Sequence, residues 1–236
     1  MYKNKTFLAI IPARGGSKRL KNKNILPLNG IPLIAHSIKC AQKSKYIDEI
    51  VVSSDNKNIL TTAKEFKSSI VKRPSKLAQD TSTTFDAIKH TIKKYSKKGK
   101  FFDYIILLQP TSPLRTPEDI NNSIELLFKN KANAIVSISE PYHPPLWSFK
   151  AKKNKKLDTI FKDKEKFKRS QDLDSYYTLN GAIYVCKTSL LLKEKSFLIN
   201  DDIYGYEMNQ INSIDIDNII DFKLAEILLG DNNGTK

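Results

Sequence analysis

The sequence is poor in cysteine, histidine and tryptophan, and these shortages exclude several classes of protein. Its two cysteines, Cys40 and Cys186, form no CxxC pair and cannot build a disulfide framework. The three histidines lie too far apart in the chain to favour a histidine-rich zinc site: His36, His90 and His143. No run of about 18 apolar residues is present, and the apolar run near the start ends at Pro12, too early for a signal peptide. We therefore expect a soluble cytoplasmic protein.

Arginine is also scarce, although the chain is strongly basic. Lysine plus arginine amounts to 40 residues against 25 acidic ones, a formal net charge of +15, yet the only arginines are Arg14, Arg19, Arg73, Arg115 and Arg169. Such an excess is typical of proteins that meet nucleic acid, an anionic membrane or an anionic substrate. Because arginine is the better reader of phosphates and bases, a lysine-dominated excess also fits a solvated surface. A basic nucleic-acid-binding module is the alternative from another class, but no recognition-helix or stacking-platform motif is seen, so no nucleic-acid partner is expected.

The length and the hydrophobic pattern predict a single α/β domain. A chain of 236 residues with 40% hydrophobic residues can bury a sizeable core. Apolar runs that alternate with helical patterns predict βαβ units and a mostly parallel sheet flanked by helices. The predicted strands are 7–11, 49–54, 104–108, 134–139, 181–186 and 213–217, and residues 69–72 form a further short apolar run. The predicted helices are 31–44, 59–66, 84–97, 219–229 and one that begins at Pro117. The lysine-rich stretch 150–168 breaks this pattern and is either a flexible excursion or a β-hairpin arm.

The loop after the first predicted strand has the composition of an anion site. Gly15 and Gly16 are adjacent, so backbone N–H groups can turn toward an anion, and arginines and lysines surround them. The spacing fits neither the P-loop nor the dinucleotide-binding fingerprint. The plain alternative is a basic surface loop. The loop leaves a sheet at its carboxyl edge, where α/β proteins bind ligands, which favours the anion site.

Three further segments carry polar side chains at predicted element ends. Residues 77–84, after Arg73, are rich in hydroxyls; read alone, this run is a helix N-cap. Residues 109–115 place Gln109, two hydroxyls and Arg115 between prolines, either as ligand contacts or as a rigid loop. At strand spacing, Asp215 and Asp217 share one face, an arrangement that suits Mg²⁺. The alternative there is a solvated strand end in which Asp217 caps the last helix.

Together these motifs resemble a known family. The chain is similar to the bacterial CMP-sialic acid synthetases (acylneuraminate cytidylyltransferases) and their relatives that activate other nine-carbon 2-keto sugar acids. The resemblance runs from residue 7 to about residue 229. It rests on five motifs in order: Ile11 to Lys18, Lys23-Asn24, Leu107 to Arg115, Asn180 to Tyr184 and Asp215 to Asp217. It implies a Rossmann-like fold of the nucleotide-diphospho-sugar transferase type and a homodimer, in which residues 140–178 form an arm over the partner's sugar pocket.

The resemblance also implies the reaction and the roles of individual residues. The anomeric hydroxyl of a nonulosonic acid attacks the α-phosphate of CTP, and pyrophosphate leaves. The implied catalytic residues are Arg14, Lys23 and Asp217, and the implied Mg²⁺ ligands are Asp215 and Asp217. The residues expected at the nucleotide are Ala13, Arg14, Gly15, Gly16, Ser17, Lys23, Asn24, Arg73, Ser82, Thr83 and Thr84. Those expected at the sugar are Gln109, Trp147, Arg169, Tyr184 and Phe197.

Departures from the family pattern bear on the sugar. Arg19 stands where a glycine is common, and it either adds a phosphate contact or faces water. Many relatives carry an arginine where Ser170 stands, and Arg169, one residue earlier, is the candidate replacement for binding the sugar carboxylate. Trp147 stands where some sialic acid enzymes carry lysine, which fits a sugar with an apolar face or, equally, an indole in the core. N-acetylneuraminate is the leading substrate, legionaminate or pseudaminate the near alternative, and Kdo the less favoured one.

Overall fold

The computed structural model describes residues 1–161, 169–199 and 201–231. The strands of these residues are β1 (Phe7–Pro12), β2 (Pro27–Leu28), β3 (Ile31–Pro32), β4 (Glu49–Ser54), β5 (Ser69–Lys72), β6 (Tyr104–Leu108), β7 (Ala134–Ser139), β8 (Phe149–Ala151), β9 (Leu157–Thr159), β10 (Thr178–Lys187) and β11 (Ile203–Glu207). The α-helices are α1 (Leu33–Lys43), α2 (Lys57–Glu65), α3 (Thr84–Ser96), α4 (Pro117–Lys129), α5 (Thr188–Glu194) and α6 (Ile219–Asp231). No helix among these residues is both long and apolar enough to span a membrane.

Seven strands form one central sheet in the order β11-β7-β10-β6-β1-β4-β5. The pairs β1–β4, β1–β6, β4–β5 and β7–β11 are parallel. Strand β10 runs antiparallel to both of its neighbours, β6 and β7. The predicted mostly parallel α/β sheet is therefore confirmed, with β10 as its reversed strand.

The apolar runs form strands because both faces of the sheet are covered by helices. Along β1, Phe7, Ala9 and Ile11 pack into the cluster that contains side chains of α1, α2 and α4. The alternate residues Leu8 and Ile10 pack on the other face, with side chains of α3 and α5. Successive side chains of a strand point to opposite faces, so a strand buried on both sides must be continuously apolar.

Threonine caps fix the starts of two helices that lead away from the carboxyl edge. Thr83 accepts the backbone N–H of Asp86 at the start of α3, and Thr116 accepts that of Asp119 at the start of α4. In both cases the aspartate side chain accepts in return from the backbone of the cap residue, which completes a capping box. Pro117 is the first residue of α4, as predicted.

Two segments were assigned wrongly from the sequence, and two elements were missed. Residues 31–32 do not begin α1; they form β3, which pairs with β2 across a turn where Asn29 and Gly30 adopt φ values of 47° and 80°. Residues 213–217 do not form a strand, although Ile216 is buried and its N–H donates to the Thr111 carbonyl at 2.8 Å. Strand β11 and helix α5 have no counterpart among the predicted elements.

The stretch 140–178 contains a small hairpin. Strands β8 and β9 pair antiparallel, with Phe149 opposite Thr159. The predicted β-hairpin is therefore present in this part of the chain. The rest of the predicted arm includes residues 162–168, which lie outside the described residues.

Candidate active site

Two cavities lie side by side at the carboxyl edge of the sheet. The first has a volume of about 480 Å³ and lies between the loop 14–24, the segment 73–84 and the residues that follow β6. The second, about 760 Å³, lies between the ends of β7 and β10 and residues 213–215. Gln109 lines both, so the two cavities meet at the end of β6.

The glycine pair shapes the loop after β1. The Gly15 N–H donates to Asp55 Oδ1 at 3.1 Å. A Cβ atom on Gly15 would lie 2.8 Å from Asn56 Nδ2, so the close approach of loop and α2 requires glycine. Ala13 is buried, and neither it nor Gly15 or Gly16 lines the first cavity, whereas Ser17 does. Contacts of Ala13, Gly15 and Gly16 with a nucleotide therefore stay predictions. The Gly15 N–H already donates to the Asp55 carboxylate of this chain.

Two cations of the loop pair with Asp80. Arg14 Nη1 lies 2.9 Å from Asp80 Oδ1, and Lys18 Nζ lies 2.5 Å from Asp80 Oδ2. These pairs lower the pKa of the Asp80 carboxyl, chiefly through the hydrogen bond from Lys18. All three side chains line the first cavity.

Two further cations of the loop lie against Asp217. Arg19 Nη1 is 2.5 Å from Asp217 Oδ2, and Lys23 Nζ is 3.7 Å from Asp217 Oδ1. Lys23 Nζ also donates to the Ile216 carbonyl at 2.5 Å. Burial lowers the pKa of the Lys23 amine, and the nearby carboxylates of Asp217 and Asp215 oppose that effect. Arg19 therefore faces a carboxylate of this chain, and Lys23 is held in place with only 13% of its side chain exposed.

Asn24 and Arg73 form buried polar parts of the first cavity. Asn24 Nδ2 donates to the Arg14 carbonyl at 3.0 Å. Arg73 is 6% exposed; its Nη2 lies 4.0 Å from Asp55 Oδ1, and its Nε has no partner among the described residues. Burial lowers the pKa of Arg73, and Asp55 opposes this. A buried guanidinium with an unused N–H beside a cavity is suited to donate a hydrogen bond to a ligand oxygen or nitrogen.

The hydroxyl run before α3 caps the helix and also lines the first cavity. The interpretation of Thr83 as an N-cap is confirmed. Ser82 Oγ donates to the Lys76 carbonyl at 2.9 Å. Ser82, Thr83 and Thr84 all line the first cavity, so their predicted contact with a nucleotide stays a prediction with suitable placement.

The second cavity is built around an irregularity in β10. The β10–β7 register shifts between Leu179 and Tyr184, and Gly181 there adopts a φ of 77°. Asn180 Oδ1 accepts from Ser137 Oγ at 2.5 Å, and Asn180 Nδ2 donates to Ser213 Oγ at 2.9 Å. The irregular strand is thereby tied to the segment that carries Asp215 and Asp217.

The five residues predicted to bind the sugar are not all in one place. Gln109 and Tyr184 line the second cavity. Phe197 is buried in the core with its ring 5.5 Å from that of Tyr184, so it supports the tyrosine from behind. Trp147 lies in a short 3-10 helix, 40% exposed, and Arg169 is exposed; neither lines the second cavity. Sugar contacts by Trp147, Arg169 and Phe197 stay predictions.

The two aspartates predicted as metal ligands stand at the junction of the cavities. Asp217 lines the first and Asp215 the second. Desolvation raises the pKa of the Asp215 carboxyl, and the negative charge of Asp217 adds to this. Asn218 Oδ1 accepts the backbone N–H groups of Ile220 and Asp221 at the start of α6, so the idea that Asp217 caps this helix is wrong.

Arg115 does not contact a ligand site, contrary to one interpretation of its motif. It is 3% exposed, and its Nη1 donates to the carbonyls of Ala182 at 2.7 Å and Gln109 at 3.3 Å. Its Nη2 donates to Ser37 Oγ at 2.8 Å. Arg115 therefore holds the ends of β6 and β10 together beneath the cavities.

Some site residues had no place in the sequence-based set. Asp55 directly follows β4, and an acid beside a strand end was the usable signal for it. Asp80 lies within the hydroxyl-rich run, away from any strand end, and had no such signal. The second cavity is also acidic: Glu140, Asp215 and Asp221 line it, and no lysine or arginine of the described residues does.

The fold recurs in solved nucleotidyltransferases. The structure superposes on a CMP:2-keto-3-deoxy-manno-octonic acid synthetase complexed with CTP, with a TM-score of 0.73 and 16% identity, over 96% of this chain and 99% of the other. A 4-diphosphocytidyl-2C-methyl-D-erythritol synthase from Anaerococcus prevotii gives a TM-score of 0.66 with 15% identity over 96% of both chains. These likenesses establish the class of fold.

The sequence comparisons establish the family. The model described as Cytidylyltransferase matches residues 8–233, and the chain belongs to this family. It is 38% identical to the CMP-N,N'-diacetyllegionaminic acid synthase of Legionella pneumophila, over 94% of this chain and 95% of that protein. It is 32% identical to the pseudaminic acid cytidylyltransferase of Campylobacter jejuni (strain 81-176), over 94% and 95%. It is also 36% identical to the N-acylneuraminate cytidylyltransferase of Streptococcus agalactiae (strain NEM316), over 91% of this chain but only 51% of that protein, so it spans about half that relative's length.

Proposed function

We propose that this protein transfers CMP from CTP to the anomeric hydroxyl of a nonulosonic acid and releases pyrophosphate. The observation that carries the proposal is the pair of joined cavities: one is lined by Arg14, Lys18, Lys23 and Arg73, and the other is lined by polar and apolar side chains suited to a sugar. Relatives that match 94% of the chain bear the names of enzymes with this chemistry.

In this proposal the first cavity holds CTP. Arg14 and Lys23 neutralise charge on the phosphates, and a fixed, partly desolvated amine such as that of Lys23 stabilises charge that develops at the α-phosphate. Arg73 and the hydroxyls of 82–84 read the base by hydrogen bonds. A pyrimidine-sized site of this kind rejects purines, because mismatched buried polar groups are costly.

The second cavity holds the sugar. Gln109, which lines both cavities, is suited to position the sugar against the nucleotide. Leu179, Ile214 and Leu224 give this cavity apolar walls beside Tyr184. Such walls favour a sugar with acylamino and deoxy positions, such as legionaminate or pseudaminate, over N-acetylneuraminate. Legionaminate is the first substrate to test, because the chain is 38% identical to a legionaminic acid synthase and 32% identical to a pseudaminic acid cytidylyltransferase.

Asp215 and Asp217 are the proposed ligands of Mg²⁺. Their hard carboxylate oxygens suit the ion. Burial, and to a smaller extent the negative charge of Asp217, raises the pKa of Asp215, and a bound cation would favour its charged form. No group of three or more acidic, histidine or cysteine side chains among the described residues could hold a metal, so phosphate oxygens would complete the shell. When bound, the ion would neutralise phosphate charge and orient the α-phosphate.

A homodimer completes the proposal. The carboxylate of a nonulosonic acid needs a cation, and the described residues that line the second cavity include neither lysine nor arginine. The hairpin in 140–178 exposes apolar side chains, Phe149, Leu157 and Ile160. Residues 140–178 therefore act as an arm that packs on a second copy and closes its sugar cavity, with Arg169 as the candidate carboxylate ligand. A cytoplasmic location, where CTP is made, fits this function.

The deciding experiment is a substrate panel. Purified protein with Mg²⁺ and CTP is given legionaminate, N-acetylneuraminate, pseudaminate or Kdo, and pyrophosphate release is measured. We expect release with a nonulosonic acid, with the highest kcat/KM for legionaminate, and none when ATP or GTP replaces CTP. No release with any of these sugars would refute the function.

The metal proposal has its own test in Asp217→Asn. We expect weaker Mn²⁺ binding in the presence of a non-hydrolysable CTP analogue, measured by calorimetry, and a loss of activity that extra Mg²⁺ only partly restores, because one charged ligand is gone. Glu65→Gln, which removes one negative charge from the exposed end of α2, is the control. Unaltered metal binding and metal dependence in Asp217→Asn would remove Asp217 from the ligand set.

A further inference from the structure

Asp80 occupies an unusual position for an acid. It lies in the turn between the 3-10 helix Ser75–Leu77 and α3, and it lines the cavity that is otherwise rich in cations. Its two oxygens are divided between two partners, with Arg14 at 2.9 Å and Lys18 at 2.5 Å. The residue has no part in the proposed metal site or in the sugar cavity.

The chemistry of these contacts matches that of a phosphate. Two oxygens of one anionic group each accept a charge-assisted hydrogen bond from a separate cation. Lys18 and Arg14 hold the pKa of Asp80 below its usual value, so the carboxylate is charged at neutral pH. A polyphosphate that binds Arg14 and Lys18 therefore competes with Asp80 for these two cations.

We propose that Asp80 is an internal competitor for the phosphate chain of the nucleotide and limits how tightly CTP and pyrophosphate are held. This inference rests on the proposed function, since CTP is the nucleotide and pyrophosphate the leaving group. While phosphates occupy Arg14 and Lys18, the Asp80 carboxylate lies beside them without its cations and repels them. When pyrophosphate leaves, the ion pairs of Asp80 with Arg14 and Lys18 form again, and this favours release of pyrophosphate.

The size of the effect follows from exposure. The side chains of Asp80, Arg14 and Lys18 are 52%, 41% and 76% exposed, so each ion pair is individually weak. We expect Asp80→Asn to bind CTP about three- to tenfold more tightly than the wild type, and pyrophosphate likewise. CMP, with a single phosphate, gains less. The difference shrinks as KCl is raised, because salt screens exposed charges.

The experiment is calorimetric titration of wild type and Asp80→Asn with CTP, CMP and inorganic pyrophosphate. Glu65→Gln carries the same change in net charge outside both cavities and should match the wild type for all three ligands. Because Asp80 is half exposed, its amide variant keeps the wild-type unfolding temperature to within about 2 °C.

The outcomes separate this inference from the proposed function. If the wild type binds pyrophosphate but not CTP, the proposed function is refuted. The comparison of pyrophosphate binding by the wild type and Asp80→Asn then still tests the role of Asp80. Pyrophosphate or CTP bound equally well or less well by Asp80→Asn overturns the inference, since Asp80 would then be holding Arg14 and Lys18 in place for the ligand. Equal tightening of CMP and CTP overturns it too, because the competition would not be for the phosphate chain.

Discussion

Lys23 is the most constrained cation of the loop after β1. Its Nζ is fixed between the Ile216 carbonyl and Asp217, and its pKa is lowered by burial. A cation already stripped of much of its water loses little on meeting a phosphate, which makes it effective at stabilising charge in a transition state.

We expect Lys23→Ala to lower kcat about 100-fold or more, the loss typical when a positioned donor is removed from an anionic transition state. Steady-state pyrophosphate release measures this, and urea unfolding checks that the fold is kept. Lys21→Ala removes an exposed lysine of the same loop and should leave kcat unchanged. Near-normal turnover in Lys23→Ala would remove its catalytic role.

From the residue types alone, the site could be placed at the ends of the strands. The contact that each polar side chain makes could not be predicted. Arg14, Lys23 and Asp217 do line one cavity, although Asp217 lies in a loop and not on the strand predicted for it. Arg115 has the same motif context, yet it is buried and donates to main-chain carbonyls. The sequence does not distinguish an arginine that binds a ligand from one that donates to main-chain carbonyls, because both require only hydrogen-bond acceptors close to the guanidinium.

At the scale of elements, burial decided which predictions held. The interior strands β4, β6 and β7 have the predicted bounds, because strands covered on both faces are continuously apolar. Strand β11 lies at the sheet edge and carries Tyr and Gly with mixed exposure, so its sequence has no clear period. The segment 213–217 has the alternation of a strand, yet it is a loop. The Ile216 N–H donates to the Thr111 carbonyl, and this bond fixes the loop at the end of the sheet.

Helix α1 is joined to the β2–β3 hairpin through His36, and this contact predicts a pH effect. His36 Nε2 donates to the Leu28 carbonyl at 2.9 Å. Burial lowers the pKa of His36 below its ordinary value, and the Leu28 hydrogen bond offsets this only in part. The folded protein therefore favours neutral His36, while the unfolded chain takes up a proton below a pH of about 6.5.

The contribution of His36 to stability is thus present above this pH and is lost as pH falls toward the lowered pKa of the folded state. We expect the free energy of unfolding of the wild type to fall more steeply between pH 7 and pH 5 than that of His36→Gln. Urea titrations at several pH values measure both slopes. His90, whose pKa is also lowered, is common to both proteins and cancels in the comparison. Parallel slopes would show that His36 does not titrate with unfolding.

At the scale of the whole molecule, the hairpin β8–β9 is the strongest candidate for a contact between copies. Leu157 and Phe149 are 58% and 47% exposed, which is a poor arrangement for a monomer in water. In a two-fold symmetric dimer each substitution acts twice.

We therefore expect Leu157→Lys to weaken dimerisation roughly a hundredfold, since two leucines leave the interface at about 1.5 kcal/mol or more each. Sedimentation velocity over a range of concentrations measures this, and KM for the sugar should rise as the protein dissociates. Phe101→Lys is the matched control, because Phe101 is 75% exposed and precedes β6, away from the carboxyl edge. A monomeric wild type, or equal behaviour of the two variants, contradicts the arm proposal.

The reversed strand has a consequence for how such a protein can diversify. Because β10 is antiparallel to β7, the chain leaves β7 at Ser139 and re-enters the sheet at Thr178 on the same edge, and both residues line the second cavity. The segment between them is therefore anchored at its two ends beside the second cavity, the proposed sugar site. Its length and side chains can change over evolutionary time without disturbing the sheet or the nucleotide half, so selectivity for the sugar can drift while the chemistry stays constant.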